Sequence, residues 1–273
     1  MSDDALIHDP EGGLPRLLAI MARLRDPEGG CPWDLEQDFA SIAPYSIEEA
    51  YEVADAIERS DWAALEGELG DLLLQVVYHA QMGAEAGHFD FASVTRSVAD
   101  KMVARHPHVF GDEGRGKSAA QQTRDWEAQK AAERAAKAAG GVLDDVALAL
   151  PALMRAVKLQ NRAARVGFDW PHADEVLEKI AEELRELVEA REAQTQEEVA
   201  EEFGDLLFAI ANLARHLQVD PESALRAANA KFTRRFRAIE AALAAQGRRP
   251  EQSTLAEMDA LWDAAKRAER AAE

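Results

Sequence analysis

The chain has 273 residues, of which 47% are hydrophobic, 30% charged and only 6% aromatic, a mixture typical of a soluble, helix-rich protein. Its formal net charge of −20 repels a phosphate backbone or an anionic membrane, so neither nucleic-acid nor membrane binding is expected. Its single cysteine, Cys31, excludes an intrachain disulfide, and we find no signal-peptide core or membrane-spanning apolar run, so a cytoplasmic protein is expected.

Apolar residues recur at helical spacing along most of the chain, and no segment shows the strict alternation of a strand. This pattern predicts an all-α protein. The predicted helices are 14–25, 46–58, 62–83, 91–105, 174–192, 196–217, 221–246 and 254–270.

One stretch near the middle of the chain, 127–139, has helix-forming composition but hardly any large apolar residue. It cannot bury much surface by itself, and it ends at two glycines. We therefore predict a helical, alanine-rich linker over residues 127–141. It would join an N-terminal helical-bundle module, 14–126, to a C-terminal one, 142–273.

The two modules carry the same acidic pattern. Four acids of the first reappear 134 residues later in the second: Glu49, Glu52, Glu68 and Asp71 become Glu183, Glu186, Glu202 and Asp205. In each copy the acids form E-x-x-E on one helix and E-x-x-D on the next, and the first acid of the second pair comes 19 positions after the first acid of the first pair. Such an internal repeat indicates two copies of one structural module.

The spacing of these acids predicts a metal site in each module. Residues three apart lie on neighbouring parts of one helix face, and a short connection makes consecutive helices antiparallel neighbours. Four carboxylates that converge in this way cannot all stay ionised without a counter-charge. Ligands that are all oxygen suit Mg²⁺ or Mn²⁺ rather than zinc.

A simpler interpretation is that the acids are only solvated helix faces. Ser46 with Glu49 also fits a capping box, S-x-x-E, but the second copy has Ile180 at the capping position, which cannot cap. Gly70 and Gly204 directly precede the aspartate in both copies. Since glycine within a helix costs about 1 kcal/mol relative to alanine, its repetition suggests close backbone approach at the site.

These motifs resemble the MazG nucleoside triphosphate pyrophosphohydrolases, which belong to the all-α NTP pyrophosphatase group. The similarity covers nearly the whole chain in the tandem two-domain form. The matching stretches are Glu48-Glu49-x-x-Glu52 with Glu68-x-x-Asp71, Glu182-Glu183-x-x-Glu186 with Glu202-x-x-Asp205, Cys31-Pro32-Trp33-Asp34, Arg105-His106-Pro107-His108-Val109-Phe110, Val166-Gly167-Phe168-Asp169-Trp170 and Lys231-Phe232-x-Arg234-Arg235-Phe236.

The resemblance implies hydrolysis of an NTP or dNTP to the monophosphate and pyrophosphate, with Mg²⁺, by a homodimer. It implies metal binding in the second module by Glu183, Glu186, Glu202 and Asp205. It also implies nucleotide contacts from Lys179, Asn229, Lys231, Arg235 and Trp262. The candidate catalytic residues are Glu182, Glu183 and Glu186. Glu182 is a candidate for orienting or deprotonating the water, although its helix position also suits a solvated glutamate.

The chemistry of the proposed nucleotide contacts agrees with this resemblance. Lys231 and Arg235 lie four residues apart, on one helix face, where they can hold phosphate charge. The alternative is an ordinary basic helix face. Trp262 can stack on a base, or it can simply pack the core.

The first module keeps the acids but differs elsewhere. Ala99 stands where the repeat places the counterpart of Asn229, and the His-Pro that follows Arg105 ends a helix which continues in the second module. We therefore expect cleavage mainly in the C-terminal module. The N-terminal module would bind metal and be weakly active, regulatory or structural.

Three other interpretations are considered. A Walker-type string, G-x-x-x-x-G-K-S at 111–118, is interpreted as a coincidental match in a loop, because a P-loop follows a strand. A narrower pyrophosphohydrolase, specific for dUTP or phosphoribosyl-ATP, is a close alternative. A non-catalytic helical interaction protein is a distant one, and the repeated spacing of the acids argues against it.

Overall fold

The computed structural model describes residues 3–111, 118, 121–122, 125–126, 141–144, 146–193 and 195–272. Within these ranges the chain is helical and contains no strand, which confirms the predicted all-α class. It divides into two compact units, Met1–Ala136 and Lys137–Glu273. The predicted linker lies outside the described residues except for Gly141, and so does most of the Walker-type string, so both interpretations stay predictions.

The helices follow one another along each unit with short connections. In the first unit they are α1 (Asp3–Ile7), α2 (Gly13–Leu24), α3 (Pro32–Glu36), α4 (Phe39–Glu58), α5 (Trp62–Glu85), α6 (Phe91–Arg105) and α7 (Pro107–Phe110). In the second they are α8 (Ala152–Ala164), α9 (Ala173–Ala193), α10 (Gln196–His216), α11 (Pro221–Ala244), a 3₁₀ turn (Pro250–Gln252) and α12 (Leu255–Ala272). None of the described helices combines the length and apolar character needed to cross a membrane.

All eight predicted helices are present, and seven of them begin and end within about two residues of the predicted bounds. The exception is α4, which begins at Phe39. Asp38 caps it: its Oδ1 accepts from the Ser41 backbone N–H at 2.8 Å, and its own N–H donates to Ser41 Oγ at 2.9 Å. The alternative explanation of Glu49 by a capping box at Ser46 is therefore excluded, because Ser46 lies inside α4. Pro44 lies inside α4. Because proline usually marks the start or end of a helix, the sequence predicts a start after Pro44 rather than at Phe39.

Four helices were not predicted. Three of them, α1, α3 and α7, have five residues or fewer, too few for a periodic signal. The fourth, α8, buries Ala156 and Gln160 rather than large apolar side chains, so its inward face is weakly marked in the sequence.

The first unit is built on α4 and α5, which pack against each other, with α2 and α6 lying against α5. Its core is a cluster of large side chains from α2, α4 and α5. These residues are Met21, Ile42, Val77, Tyr78 and Met82. The α4–α5 hairpin is therefore anchored at the carboxyl-terminal half of α5, which leaves the amino-terminal half to carry the acids.

A buried arginine side chain joins the end of α2 to this core. The side chain of Arg25, 8% exposed, forms an ion pair with Glu85 at 2.7 Å and donates to the backbone oxygen of Asp34. Tyr78 donates its hydroxyl proton to the same oxygen at 3.0 Å, and burial raises the pKa of Tyr78 to about 12. The Cys-Pro-Trp-Asp stretch is thus held against α5.

The second unit repeats the arrangement with α9 and α10 as the packed pair. Helix α12 packs on α11, and α8 lies against both α10 and α11, where Gln160 Nε2 donates to the Phe208 backbone oxygen at 2.8 Å. The side chains buried in this unit include Val176, Ala190, Ala211, Ile239 and Leu243.

Candidate metal and nucleotide site

The N-terminal acids meet between α4 and α5. Glu49, Glu68 and Asp71 each place one carboxylate oxygen within 4.8 Å of the others. Glu52 lies beside them, close enough to raise the pKa of both Glu49 and Glu68. A tight connection, in which Asp61 caps α5 by accepting from Ala64 N at 3.1 Å, sets the register of the two helices. These four acids are called the N-terminal cage below.

The carboxyls of the N-terminal cage disfavour each other's negative charge. Burial, followed by the charges of Asp71 and Glu52, raises the pKa of Glu49. Burial and the charges of Glu52 and Asp71 likewise raise the pKa of Glu68. A bound cation reverses this effect by favouring the ionised form of each carboxyl.

The C-terminal acids meet in the same way between α9 and α10. Glu183, Glu186 and Glu202 each place one carboxylate oxygen within 4.8 Å of the others, and Glu183 is only 6% exposed. Burial first, and then the charges of Glu186, Glu183 and Asp205, raise the pKa of Glu202. Asp205 therefore lies near the group, although outside its tightest set. These four acids are called the C-terminal cage.

One lysine reaches into the C-terminal cage. Lys179, one turn before Glu183 on α9, places its Nζ 2.7 Å from Glu183 Oε1 and 2.8 Å from Glu182 Oε1. This pairing raises the pKa of Lys179 and lowers that of Glu182. Two residues predicted for catalysis and nucleotide contact, Glu182 and Lys179, thus lie at the edge of the cage and bind each other.

The donor chemistry of both cages fits a hard divalent cation. Every side chain in the two sets offers carboxylate oxygen, and neither set includes a histidine or a cysteine. Oxygen-only donors in groups of three or four suit Mg²⁺ or Mn²⁺. The binding of Mg²⁺ or Mn²⁺ to the cages stays a prediction.

Close packing against other described residues does not explain the repeated glycines. A Cβ built on Gly70 or Gly204 meets no heavy atom within 4 Å among the described residues. Neither glycine is therefore needed for close packing within its unit. Both lie on exposed helix faces next to the cage aspartates.

The predicted nucleotide contacts on α11 and α12 form a separate group. Arg235 Nε donates to Glu269 at 2.8 Å, and its guanidinium carbon lies 5.5 Å from the Trp262 ring centre. The Trp262 ring also packs 5.4 Å from Phe232. Trp262 thus contacts Arg235 and Phe232 within its own unit, and its contact with a base stays a prediction.

Two further predicted contacts, Asn229 and Lys231, lie exposed on α11. Among the described residues, no hydrogen bond or ion pair joins them, Arg235 or Trp262 to the C-terminal cage. The predicted difference between the modules is present in the helices: α6 ends at Arg105, whereas α11 continues to Ala244. The helix of the second module therefore continues beyond Arg235, whereas that of the first ends at Arg105, the counterpart in the repeat.

Sequence reasoning missed a network that holds the Val166–Trp170 stretch. Arg215, near the end of α10, binds Asp169 and donates its Nε proton to Asn212 Oδ1 at 3.1 Å. Asn212 is 3% exposed and occupies the repeat position of Tyr78, which holds the corresponding stretch of the first unit. The 134-residue offset is the signal that could have found this pair of positions, because Tyr78 and Asn212 each lie seven residues after the aspartate of their cage.

Comparison with known proteins finds similarity in each unit and along the whole chain. The MazG nucleotide pyrophosphohydrolase domain matches residues 37–110, and phosphoribosyl-ATP pyrophosphohydrolase matches residues 150–232. The nucleoside triphosphate pyrophosphohydrolase of Escherichia coli K12 is 53% identical over 94% of this chain and 98% of its own length. The nucleoside triphosphate pyrophosphohydrolase/pyrophosphatase MazG of Thermotoga maritima is 44% identical over 92% of this chain and 94% of its own.

Proposed function

Because the chain belongs to the MazG family of nucleotide pyrophosphohydrolases and is therefore a hydrolase, we propose that it cleaves nucleoside triphosphates to monophosphates and pyrophosphate with Mg²⁺. The observation that carries this proposal is the C-terminal cage, in which three carboxylates from two helices present oxygens within 4.8 Å of one another. Such a group is suited to hold a cation against the phosphates of a nucleotide.

In the proposed reaction a water oxygen bonds to the α-phosphorus, and the bridging bond between the α- and β-phosphates breaks. Bound Mg²⁺ would supply Lewis acidity and neutralise phosphate charge. Glu183, Glu186, Glu202 and Asp205 would hold it. Glu182 would accept the proton of the attacking water, and pyrophosphate would leave with the former bridging oxygen.

We place this reaction mainly in the C-terminal module. Its cage includes the more deeply buried acid, Glu183, and a lysine, Lys179, lies within 2.7 Å of that acid. The cations Lys231 and Arg235 lie on a helix that continues well beyond them. The N-terminal module has the acids, but its corresponding helix ends at Arg105, so we propose a metal-binding, supporting role for it.

A homodimer is part of the proposal. The cage helices of the second unit expose large apolar side chains, which a partner copy would cover. They include Leu184 and Phe203, each 52% exposed, with Val188 at 45% and Leu207 at 40%.

The test is a product assay with the full chain. Each NTP and dNTP, and phosphoribosyl-ATP because of the match over 150–232, is incubated with Mg²⁺ and the products are separated. We expect monophosphate and pyrophosphate from nucleoside triphosphates, and no products in EDTA. Release of diphosphate and orthophosphate, or no turnover of any substrate, would contradict the proposal. Turnover of phosphoribosyl-ATP alone would instead support the narrower activity.

A further inference from the structure

A lysine side chain supplies a positive charge to the C-terminal cage. Glu183 is almost fully buried, and its carboxylate oxygen lies 2.7 Å from the ammonium of Lys179. The same ammonium lies 2.8 Å from Glu182, so Lys179 bridges a cage acid and the acid next to it. A buried carboxylate needs a counter-charge of this kind, because isolation from water strongly disfavours its ionised form.

The N-terminal cage lacks such a cation at the corresponding position. Lys179 lies four residues before Glu183, and the residue four before Glu49 is Tyr45, in the same helical register of α4. A tyrosine carries no positive charge. Arg59 exerts a weak favourable charge effect on Glu68, but its guanidinium pairs with Asp55 at 2.8 Å and Asp61 at 3.1 Å. The two cages thus share their acids and differ in internal charge.

Lys179 is able to leave the cage without disturbing the core. Its side chain is 33% exposed, so part of it already faces solvent. A lysine ammonium is a compact charge on a flexible stem, and it pairs readily with a phosphate oxygen. A divalent cation that binds Glu183 competes with Lys179 for the same carboxylate, and a triphosphate offers the displaced ammonium a new partner.

We propose that Lys179 is a movable counter-ion which couples divalent-cation binding to triphosphate binding in the C-terminal module. The N-terminal cage, with Tyr45 in that position, binds a cation independently of nucleotide. This inference rests on the proposed function. Because the coupling between two ligands is reciprocal, nucleotide strengthens cation binding by the same factor as cation strengthens nucleotide binding. Lys179 thus controls whether Glu183 is free to bind the divalent cation.

The test measures Mn²⁺ binding rather than turnover. Free Mn²⁺ is counted by electron paramagnetic resonance in the full chain, with the N-terminal cage inactivated by Glu49→Gln and Asp71→Asn. Titrations are run with and without a non-hydrolysable α,β-methylene triphosphate, after subtracting its separately measured Mn²⁺ complex. We expect nucleotide to tighten Mn²⁺ binding by roughly 5- to 150-fold.

Variants at position 179 then isolate the lysine. Lys179→Met should tighten Mn²⁺ binding without nucleotide and remove most of the nucleotide effect, whereas Lys179→Arg should retain that effect. Arg191→Met removes one exposed positive charge from the same helix and is the matched control. In the mirror experiment, with the C-terminal cage inactivated by Glu186→Gln and Asp205→Asn, Tyr45→Lys should weaken Mn²⁺ binding to the N-terminal cage.

The outcomes separate this inference from the proposed function. If wild-type protein releases no pyrophosphate from any triphosphate, the proposed function fails. If it does release pyrophosphate, but Lys179→Met binds Mn²⁺ like Arg191→Met and keeps the nucleotide effect, the movable counter-ion is refuted. Weaker Mn²⁺ binding by Lys179→Met would also refute it.

Discussion

Replacement of Glu183 by glutamine is the most direct test of the C-terminal cage. The change keeps the size of the side chain and removes its charge. Because Glu183 is only 6% exposed, water cannot easily supply the missing ligand. Loss of one pre-positioned electrostatic group from an active site lowers kcat about 10²- to 10³-fold, which corresponds to roughly 3–4 kcal/mol. We expect a fall in kcat/KM toward the upper end of this range, since Glu183 is the most deeply buried acid of its cage.

The assay follows pyrophosphate release at saturating Mg²⁺, with circular dichroism to confirm that the variant is folded. Glu49→Gln makes the same change in the N-terminal cage and is the matched control. If activity is concentrated in the C-terminal module, the control should lose less than about tenfold, since it leaves the reacting groups in place. The reasoning is refuted if Glu183→Gln retains kcat/KM within about threefold, or if both variants lose the same activity.

Three further predictions concern stability and substrate contact. The metal-free protein should lose stability as pH rises from 4.5, the ordinary glutamate value, through the raised pKa of cage carboxyls such as Glu202, because the folded state binds more protons there. Mg²⁺ should therefore raise Tm more at about pH 7.5 than at about pH 5. Arg25→Met should cost about 3 kcal/mol in urea denaturation, because it leaves buried partners unpaired, whereas the exposed Arg59→Met should change stability little. Arg235→Gln should raise KM for triphosphate roughly tenfold or more, with Glu269→Gln, which keeps the guanidinium, as its control.

Each of these expectations has a contrary outcome. An equal Mg²⁺-induced rise in Tm at both pH values would mean that the cages do not bind the cation as carboxylates. Equal urea midpoints for the Arg25 and Arg59 variants would mean that burial of the first guanidinium contributes nothing. An unchanged KM for the Arg235 variant would remove that side chain from the nucleotide site.

The sequence by itself determined the all-α class, eight of the helices and the duplicated acids. Helical periodicity is a local property, because the apolar residues of each turn identify the face that is buried. The fixed 134-residue offset can likewise be read directly from the sequence. Four acids at one spacing on two short-linked helices therefore predicted both groupings, and the structure brings carboxylate oxygens of three acids in each within 4.8 Å of one another. The family resemblance was carried by the same residues.

Only the tertiary structure decided which side chains contact one another across elements. The pairing of Arg235 with Glu269 joins α11 to α12, and the contact of Asp34 with Arg25 and Tyr78 depends on how α2 and α5 pack. It also shows that no described residue packs closely against the two glycines, which nothing local in the sequence indicates. Periodicity tells which face of a helix turns inward, but the partners of that face depend on the placement of distant helices, and this placement is determined by packing of the whole unit.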